Sequence, residues 1–288
     1  MKIRKAVITA AGRDQSALPV QTLNDRDGRE KSVLEILIDQ CLARDVDHVA
    51  VIVSPGYEDR YAQAVGSHAG RVTFIPQPAP LGYGYAVYSA RSFVGNDPFL
   101  HLVGDHLYVA PDNTGISAGL LQIAEVQSCS VSAVQPTRES LLPMYGCVGG
   151  LHMPGRRGLY RVEAVVEKPT PTEAEQKLMV SGLRSGHYLC FFGMHVLTPA
   201  IMTILGELHS AAPDKSLTLS SGLAELARRE QYIAYEAPGR RFDIGSRYGL
   251  VVAQLALALS GRDRPEILAR LLELLADREL SAAAAGND

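Results

Sequence analysis

Short apolar runs alternate with longer amphipathic stretches along the first half of the chain. The strand-like runs lie at residues 5–10, 48–54, 72–76, 99–103 and 130–135, and the helix-like stretches at about 31–44, 56–66, 84–94 and 115–127. Within the first of these stretches, Leu34, Leu37, Ile38 and Cys41 recur at helical spacing. Alternation of this kind predicts a doubly wound, mainly parallel sheet covered by helices.

The second half of the chain departs from this alternation. Residues 145–170 have the pattern of a β-hairpin that turns around residues 154–158. Strands are then expected at 187–197 and 231–236, and helices at 199–208, 221–230, 247–259 and 264–280. The last helix carries apolar residues on one side, at Ile267, Leu268, Leu271, Leu272 and Leu275. Such a stripe indicates packing or a subunit contact, and we expect the tail at 281–288 to fray.

Composition restricts the kinds of partner. With 288 residues, of which 47% are hydrophobic and 20% charged, the chain can bury a large core. The formal net charge of −3 provides no basic face, which argues against nucleic acid as the main partner and favours small ligands. No apolar run reaches the roughly 18 residues of a membrane span, and the basic start lacks a signal-peptide apolar region. We therefore expect a cytoplasmic protein with no membrane partner.

The nucleophilic and metal-ligating side chains follow no familiar spacing. Cys41, Cys129, Cys147 and Cys190 are widely separated and form no C-x-x-C pair, which predicts reduced, mostly buried thiols. The histidines have no i, i+4 spacing that would indicate a histidine metal site. The serines do not lie in a nucleophile-elbow pattern, so a hydrolase is not supported.

The first strand ends in Ala10, Ala11 and Gly12 and runs into a polar loop that reaches Leu18 and Pro19. A buried strand that ends in small residues can present its backbone amides to an anionic ligand. Nucleotide phosphate is the first interpretation. The alternative is an ordinary connection between a strand and a helix.

Four further motifs follow along the chain: Gln77 with Gly82-Tyr83-Gly84, Gly104-Asp105, Glu167-Lys168, and Phe242-Asp243-Ile244-Gly245. In this order and at these spacings the chain resembles the sugar-1-phosphate nucleotidyltransferases, most closely the bacterial UTP-glucose-1-phosphate uridylyltransferase group, over roughly residues 5–258. The resemblance implies a Rossmann-like nucleotidyltransferase domain at 1–260 with a β-hairpin insertion. The sugar-phosphate-binding part would span about 140–245, and 261–288 would form a C-terminal helix and tail.

The resemblance also implies roles for single residues. Those that match nucleotide-binding positions are Ala10, Ala11, Gly12, Gln77, Gly82 and Gly84. Those that match sugar-phosphate-binding positions are Gly146, Glu167 and Lys168. Glycines let the backbone approach a planar base closely. The alternatives are a tight turn at the two helix-start glycines and a surface ion pair at Glu167-Lys168.

Asp105 and Asp243 match the two metal-binding aspartates of the family, and Asp105 is also a catalytic candidate. Transfer of a nucleotidyl group joins two anionic reactants, so the site must neutralise charge with a divalent ion and with cationic side chains. Hard oxygen ligands suit Mg²⁺, which is the implied cofactor. For Asp105 the alternative is a turn or helix-cap residue.

The match fails in the first loop. Asp14, Gln15 and Ser16 stand where the family pattern has glycine, threonine and arginine. Asp14 would place a negative charge beside a triphosphate, which disfavours binding. Arg13 is the catalytic candidate that could replace the lost arginine, and Lys31, just before the first helix, is the second. The alternative for Lys31 is a solvated lysine.

The leading interpretation is a Mg²⁺-dependent enzyme that transfers a nucleotidyl group from a nucleoside triphosphate, UTP by default, to a sugar 1-phosphate, glucose 1-phosphate by default. Pyrophosphate is released and no covalent enzyme intermediate forms. We expect a homo-oligomer, either a dimer or a tetramer. The altered loop leaves two alternatives: a sugar-nucleotide-binding regulatory paralogue with little or no activity, and an enzyme for an unusual sugar or cyclitol phosphate.

Overall fold

The computed structural model describes residues 1–12, 16–42, 44–111 and 115–285, and the side chains among them as far as residue 277. Its strands are β1 (Lys5–Thr9), β2 (Thr22–Asn24), β3 (Glu30–Ser32), β4 (His48–Val53), β5 (Val72–Pro76), β6 (Phe99–Val103), β7 (His106–Val109), β8 (Ser130–Arg138), β9 (Gly146–His152), β10 (Leu159–Glu167), β11 (His187–Leu197), β12 (Tyr232–Glu236) and β13 (Arg240–Asp243). Its α-helices are α1 (Val33–Cys41), α2 (Glu58–Gln63), α3 (Tyr83–Ser89), α4 (Arg91–Val94), α5 (Ile116–Gln127), α6 (Pro171–Lys177), α7 (Ala200–Ala211), α8 (Leu219–Arg229), α9 (Gly249–Ser260) and α10 (Arg264–Ala285).

A nine-stranded sheet in the order β5-β4-β1-β6-β11-β8-β12-β10-β9 forms the centre of the molecule. The strands β5, β4, β1 and β6 run parallel, with Val7 of β1 opposite Ala50 of β4 and His101 of β6. Beyond β6 the sheet is mixed, because β11 lies antiparallel between β6 and β8. The hairpin β9–β10 closes the far edge. Because β1 and β6 are parallel neighbours, their carboxyl ends open on the same side of the molecule.

Helices cover both faces of this sheet, and each face has its own apolar core. One cluster contains buried residues of α1 and α5, and the other contains buried residues of α3, α7 and α8. The first helix shows why the local sequence folds this way. Ser32 caps α1, since its hydroxyl accepts the amide of Glu35 at 2.9 Å, and Leu34, Leu37 and Ile38 behind it are fully buried.

The α/β fold with a large sheet is confirmed, and the structure refines its details. The sheet is parallel only in part, since the antiparallel strand β11 sits at its centre. The helix expected at 84–94 is interrupted at Ala90, where α3 ends and α4 begins. The last helix extends to Ala285 rather than fraying from residue 281, and alanine is the strongest helix former.

Two further features bear on the sequence-based expectations. All four cysteines are free thiols in buried positions. Burial raises the pKa of the Cys129 thiol to about 11. Among the residues that the structure describes, no helix combines the length and the apolar character that a membrane crossing requires.

Candidate active site

A cavity of about 530 Å³ opens where the carboxyl ends of β1 and β6 face the hairpin β9–β10. It collects most of the residues singled out from the sequence: Ala10, Ala11, Gly12, Gln77, Gly82, Asp105, Gly146, Glu167 and Lys168. The lining does not include Gly84, Lys31 or Asp243. Arg13 lies outside the described residues, so its role stays a prediction. The parallel strands thus bring residues that are far apart in sequence to one edge of the sheet.

Strand β1 delivers the start of the first loop to this edge. The amide of Ala10 donates to the carbonyl of Ile52 at 2.8 Å, and the amide of Gly104 donates to the carbonyl of Thr9 at 2.8 Å. The hydroxyl of the buried Tyr61 lies 3.0 Å from the carbonyl oxygens of both Ala10 and Ser16. Tyr61 therefore holds the two described ends of the loop together.

Gln77 follows β5 and is almost fully buried, with its side-chain Nε2 donating to the carbonyl of Ala79 at 2.8 Å. Gly82 has a left-handed backbone with φ of 103°, and a Cβ there would lie 2.5 Å from Ser216 Oγ. Gly84 packs against the chain instead of the cavity, since a Cβ would lie 2.7 Å from the backbone of Thr218. The two glycines thus let the start of α3 pack closely against the segment at residues 216–218.

Asp105 occupies the turn between β6 and β7, and its carboxylate faces the cavity. Its Oδ1 lies 2.7 Å from Nδ1 of His106. Burial raises the pKa of Asp105, but the hydrogen bond to His106 and the attraction of that ring outweigh it, so the pKa is lower than usual. Asp105 therefore stays ionised at neutral pH.

Asp243 ends β13, which pairs antiparallel with β7 and places Asp243 directly opposite His106. The amide of Ile244 donates to the carbonyl of Asp105 at 3.0 Å. The Asp243 carboxylate accepts the amides of Gly245 and Ser246 through Oδ1 at 2.9 and 3.2 Å. The structure thus places the two aspartates on neighbouring segments, although only Asp105 lines the cavity.

The opposite wall is the start of the hairpin. Gly146 and Glu167 are partners across β9 and β10. Oε2 of Glu167 accepts the hydroxyl of Ser220 at 2.5 Å. A Cβ on Gly146 would lie only 2.6 Å from Ser220 Oγ and 2.9 Å from Glu167 Oε2, so glycine is needed for the carboxylate to occupy this place.

Lys168 follows Glu167 in a left-handed conformation with φ of 48°, which is uncommon for a residue other than glycine. Its amide donates to the carbonyl of Tyr145 at 3.1 Å. The ring of Tyr145 also supports Arg241, whose Cζ lies 3.7 Å from the ring centre. Strained backbone of this kind is concentrated at functional sites.

Two buried histidines form part of the cavity surroundings. His195 of β11 lies opposite His101 of β6, with 5.7 Å between the ring centres. Nδ1 of His195 lies 2.6 Å from Ser132 Oγ, which in turn lies 2.5 Å from the hydroxyl of Tyr232. Burial lowers the pKa of His195 to about 3 and lowers the pKa of His101 well below its usual value. His195 therefore lines the cavity as a neutral ring.

Lys31 is not part of this site. It belongs to the small hairpin β2–β3, and its ammonium lies 2.6 Å from Asp39 and 3.4 Å from Asp25. It lines a separate, smaller cavity of about 330 Å³. Its proximity to the first loop in sequence does not bring it to the cavity, because the hairpin directs it to these two aspartates.

Sequence reasoning missed several lining residues, among them the polar residues Arg241, His195 and Ser220. For Arg241 a signal was available. Arg241 and Asp243 are two positions apart in a strand, so they share one face. For His195 and Ser220 no local signal exists, because they reach the cavity through sheet pairing and helix packing.

Comparison with known proteins was consistent with this geometry. A model of the nucleotidyl transferase family matches residues 26–258. The chain is 27% identical over 285 residues to the UTP-glucose-1-phosphate uridylyltransferase of Streptococcus pneumoniae serotype 4, covering 90% of this chain and 91% of that protein. It is 25% identical over 304 residues to the enzyme of the same name from Bacillus subtilis strain 168, covering 96% and 99%.

Solved structures show the same fold. The UTP-bound UGPase from Acinetobacter baumannii superimposes with a TM-score of 0.71 at 22% identity, covering 95% of this chain and 100% of that one. A UDP-glucose pyrophosphorylase complexed with UDP-glucose gives a TM-score of 0.70 at 20% identity, covering 88% and 98%.

Proposed function

Because the chain belongs to the nucleotidyl transferase family, we propose that it transfers the uridylyl group of UTP to glucose 1-phosphate. The products are UDP-glucose and pyrophosphate. The choice of substrates is supported by the names of the relatives, which match over nearly the whole length of both chains. The observation that carries the proposal is one cavity that brings together Ala10, Ala11 and Gly12 with Gln77, Asp105 and the hairpin residues.

The nucleotide would bind against the carboxyl ends of β1 and β5. Ala10, Ala11 and Gly12 line the cavity with exposed backbone, and small residues let phosphate oxygens approach the amides. Gln77 would read the base, because its amide group carries both donors and an acceptor. Its Nε2 already bonds the carbonyl of Ala79, so Oε1 is the atom left to accept from the base.

The sugar phosphate would bind against the hairpin. The Glu167 carboxylate, oriented by Ser220, would accept hydroxyl groups of the sugar. Gly146 leaves the space beside that carboxylate open. The Lys168 ammonium would face the phosphate, since its backbone is fixed by Tyr145.

We infer that Asp105 and Asp243 would hold the Mg²⁺ ion, because carboxylate oxygens are ligands that Mg²⁺ prefers. In Asp105 and Asp243 the Oδ1 atoms carry the protein contacts, which leaves an Oδ2 atom of each for a cation. The described residues contain no group of three or more histidine, cysteine, aspartate or glutamate side chains arranged for a metal. Two carboxylates suffice here, because Mg²⁺ in nucleotide sites takes its other ligands from water and substrate phosphates. When bound, the ion would neutralise phosphate charge and align the phosphates.

The reaction follows from this arrangement. A phosphate oxygen of glucose 1-phosphate attacks the α-phosphorus of UTP, the bond from that phosphorus to the oxygen bridging to the β-phosphate breaks, and pyrophosphate leaves. The sugar phosphate is itself the nucleophile, so no covalent enzyme intermediate is needed. The protein residues position the two substrates in line and supply charge, which is the main source of catalysis in phosphoryl transfer.

Pyrophosphate release from UTP, with glucose 1-phosphate and Mg²⁺ present, tests the proposal directly. The parent protein should be active and Asp105→Ala inactive. Asp47→Ala is the control, because the Asp47 carboxylate lies outside the cavity lining in an exposed ion pair with Arg4 at 3.5 Å. A parent protein that binds UDP-glucose but releases no pyrophosphate would instead be the regulatory paralogue that the altered first loop suggests. Release with other sugar or cyclitol phosphates only would indicate the second alternative.

We also propose that the protein is a cytoplasmic homo-oligomer. Support comes from α9 and α10, where Val251, Val252, Leu272, Leu274 and Leu275 are each about half exposed or more. Sedimentation velocity of the parent protein tests the oligomeric state, and a monomer at micromolar concentration would contradict it.

A further inference from the structure

Two basic side chains stand out among the described residues of the cavity lining, Lys168 and Arg241. Neither forms an ion pair with a carboxylate of the described residues. The nearby carboxylates have other partners, His106 for Asp105 and Ser220 for Glu167. Cations without a carboxylate partner in a cavity attract an anionic ligand.

The guanidinium of Arg241 is held in a fixed orientation. Its Cζ lies 3.7 Å from the centre of the Tyr145 ring, and Nη1 donates to the carbonyl oxygen of Phe191. That carbonyl is available because β11 shifts its register against β8 between Phe191 and His195. A guanidinium carries five N–H donors, so most of them remain for another acceptor.

Arg241 also stands where the two halves of the cavity meet. Its support, Tyr145, accepts the amide of Lys168 and directly precedes Gly146 on the sugar side. On β13 it shares a face with Asp243, which lies opposite His106. Arg241 is therefore connected both to the hairpin and to the segment of the aspartates.

We propose that Arg241 binds the phosphate group of the sugar 1-phosphate. This role rests on the proposed function, and it adds a contact that the sequence motifs did not indicate. A planar guanidinium can donate two parallel N–H groups to two oxygens of one phosphate, and the Tyr145 ring fixes the orientation of that plane. Arg241 thus supplies positive charge to a site whose first loop has Ser16 in place of an arginine.

Its neighbour Arg240 offers a matched control. Arg240 is exposed, its guanidinium lies 5.5 Å from the ring centre of Phe242, and it does not line the cavity. Arg241→Gln and Arg240→Gln each remove one positive charge from the same strand. Glucose 1-phosphate binding is measured by calorimetry, and steady-state kinetics give KM for each substrate.

We expect Arg241→Gln to weaken glucose 1-phosphate binding and raise its KM by about tenfold or more, which is the loss typical of a charge-assisted hydrogen bond. The KM for UTP should change much less. Arg240→Gln should match the parent. The KM of Arg241→Lys for glucose 1-phosphate should lie between the values of the parent and of Arg241→Gln, because lysine keeps the charge but lacks the planar guanidinium. A purely structural role through Phe191 would instead lower the melting temperature and affect both substrates alike.

Parental glucose 1-phosphate affinity in folded Arg241→Gln would overturn the proposal, and so would equal losses in the two glutamine variants. If Arg241→Gln does not fold, the same comparison is made with Arg241→Lys, where unchanged affinity and unchanged KM overturn it. A parent protein that binds glucose 1-phosphate but releases no pyrophosphate contradicts the proposed function alone. In that case the calorimetric comparison still decides the role of Arg241. A parent protein that does not bind glucose 1-phosphate at all refutes both the proposed function and the role of Arg241.

Discussion

Replacing Gly146 with alanine tests the sugar side of the cavity. A Cβ at this position would lie 2.6 Å from Ser220 Oγ, 2.9 Å from Glu167 Oε2 and 2.9 Å from Phe191 Cδ2. Two of these atoms form the hydrogen bond that orients the carboxylate. Gly146 does not have a positive φ, so its backbone conformation accepts alanine and the perturbation is confined to the cavity.

The expected size of the effect of Gly146→Ala follows from the crowding around the added methyl group. An extra methyl group in a well-packed place costs about 1–3 kcal/mol. The Glu167 carboxylate and the Ser220 hydroxyl can relieve it by moving, since both are side chains at the cavity wall. The strain is then transferred to sugar-phosphate binding, and at about 1.4 kcal/mol per factor of ten it becomes a loss of roughly 5- to 140-fold in kcat/KM for glucose 1-phosphate.

Pyrophosphate release at varied concentrations of each substrate measures this effect. We expect KM for UTP to change little in Gly146→Ala. Gly70→Ala is the control, because a Cβ there meets nothing within 4 Å and no positive φ is involved. Adding Ser220→Ala removes the closest atom and should restore part of the activity. A folded Gly146→Ala protein with parental kcat/KM for glucose 1-phosphate would refute the reasoning.

Three other predictions concern residues around the site and in the core. Lys31→Met should leave both KM values and kcat unchanged in the pyrophosphate assay because its ammonium pairs with two aspartates away from the cavity, whereas Lys168→Met should lower activity. His195 has a folded pKa of about 3 against about 6.5 unfolded. The free energy of unfolding, from urea titrations, should therefore fall as pH drops from 6.5 toward 3, and less steeply in His195→Asn. Glu230→Ala should lower the free energy of unfolding by about 1–3 kcal/mol, because Oε1 of Glu230 accepts the hydroxyls of Ser130 at 2.9 Å and of Thr198 at 2.7 Å.

Sequence reasoning located the elements whose signals are local. Continuous apolar runs identified β1, β4 and β6, because strands buried on both faces carry no polar alternation. The apolar run of β5 was also recognised, although this strand lies at the edge of the sheet and is only partly buried. The hairpin β9–β10 followed from two runs separated by a glycine-containing turn. Asp105 and Glu167 were picked out because they match motif positions of the family, and Asp105 lies just beyond the end of β6 while Glu167 ends β10.

One feature was missed because it depends on contacts distant in sequence. The pairing of β7 with β13 joins residues 106–109 to residues 240–243, and strands this short have little signal of their own. Lys31 was assigned to the site from its closeness to the first loop, but the hairpin β2–β3 pairs it with Asp25 and Asp39. Closeness in sequence was a poor guide because a three-residue strand already determines which way the side chain points.

The described cavity lining draws its positive charge from strand-associated residues. The family pattern places an arginine in the first loop, where this chain has Ser16. In the described part of the lining, the lysine and arginine residues are Lys168 and Arg241. Tyr145 contacts both, since its carbonyl accepts the Lys168 amide and its ring lies against the Arg241 guanidinium. A cation held by strand and ring contacts loses less conformational freedom on binding an anion than one on a loop. Lys168 after the hairpin and Arg241 on β13 can therefore supply positive charge to a cavity whose first loop has Ser16 in place of an arginine.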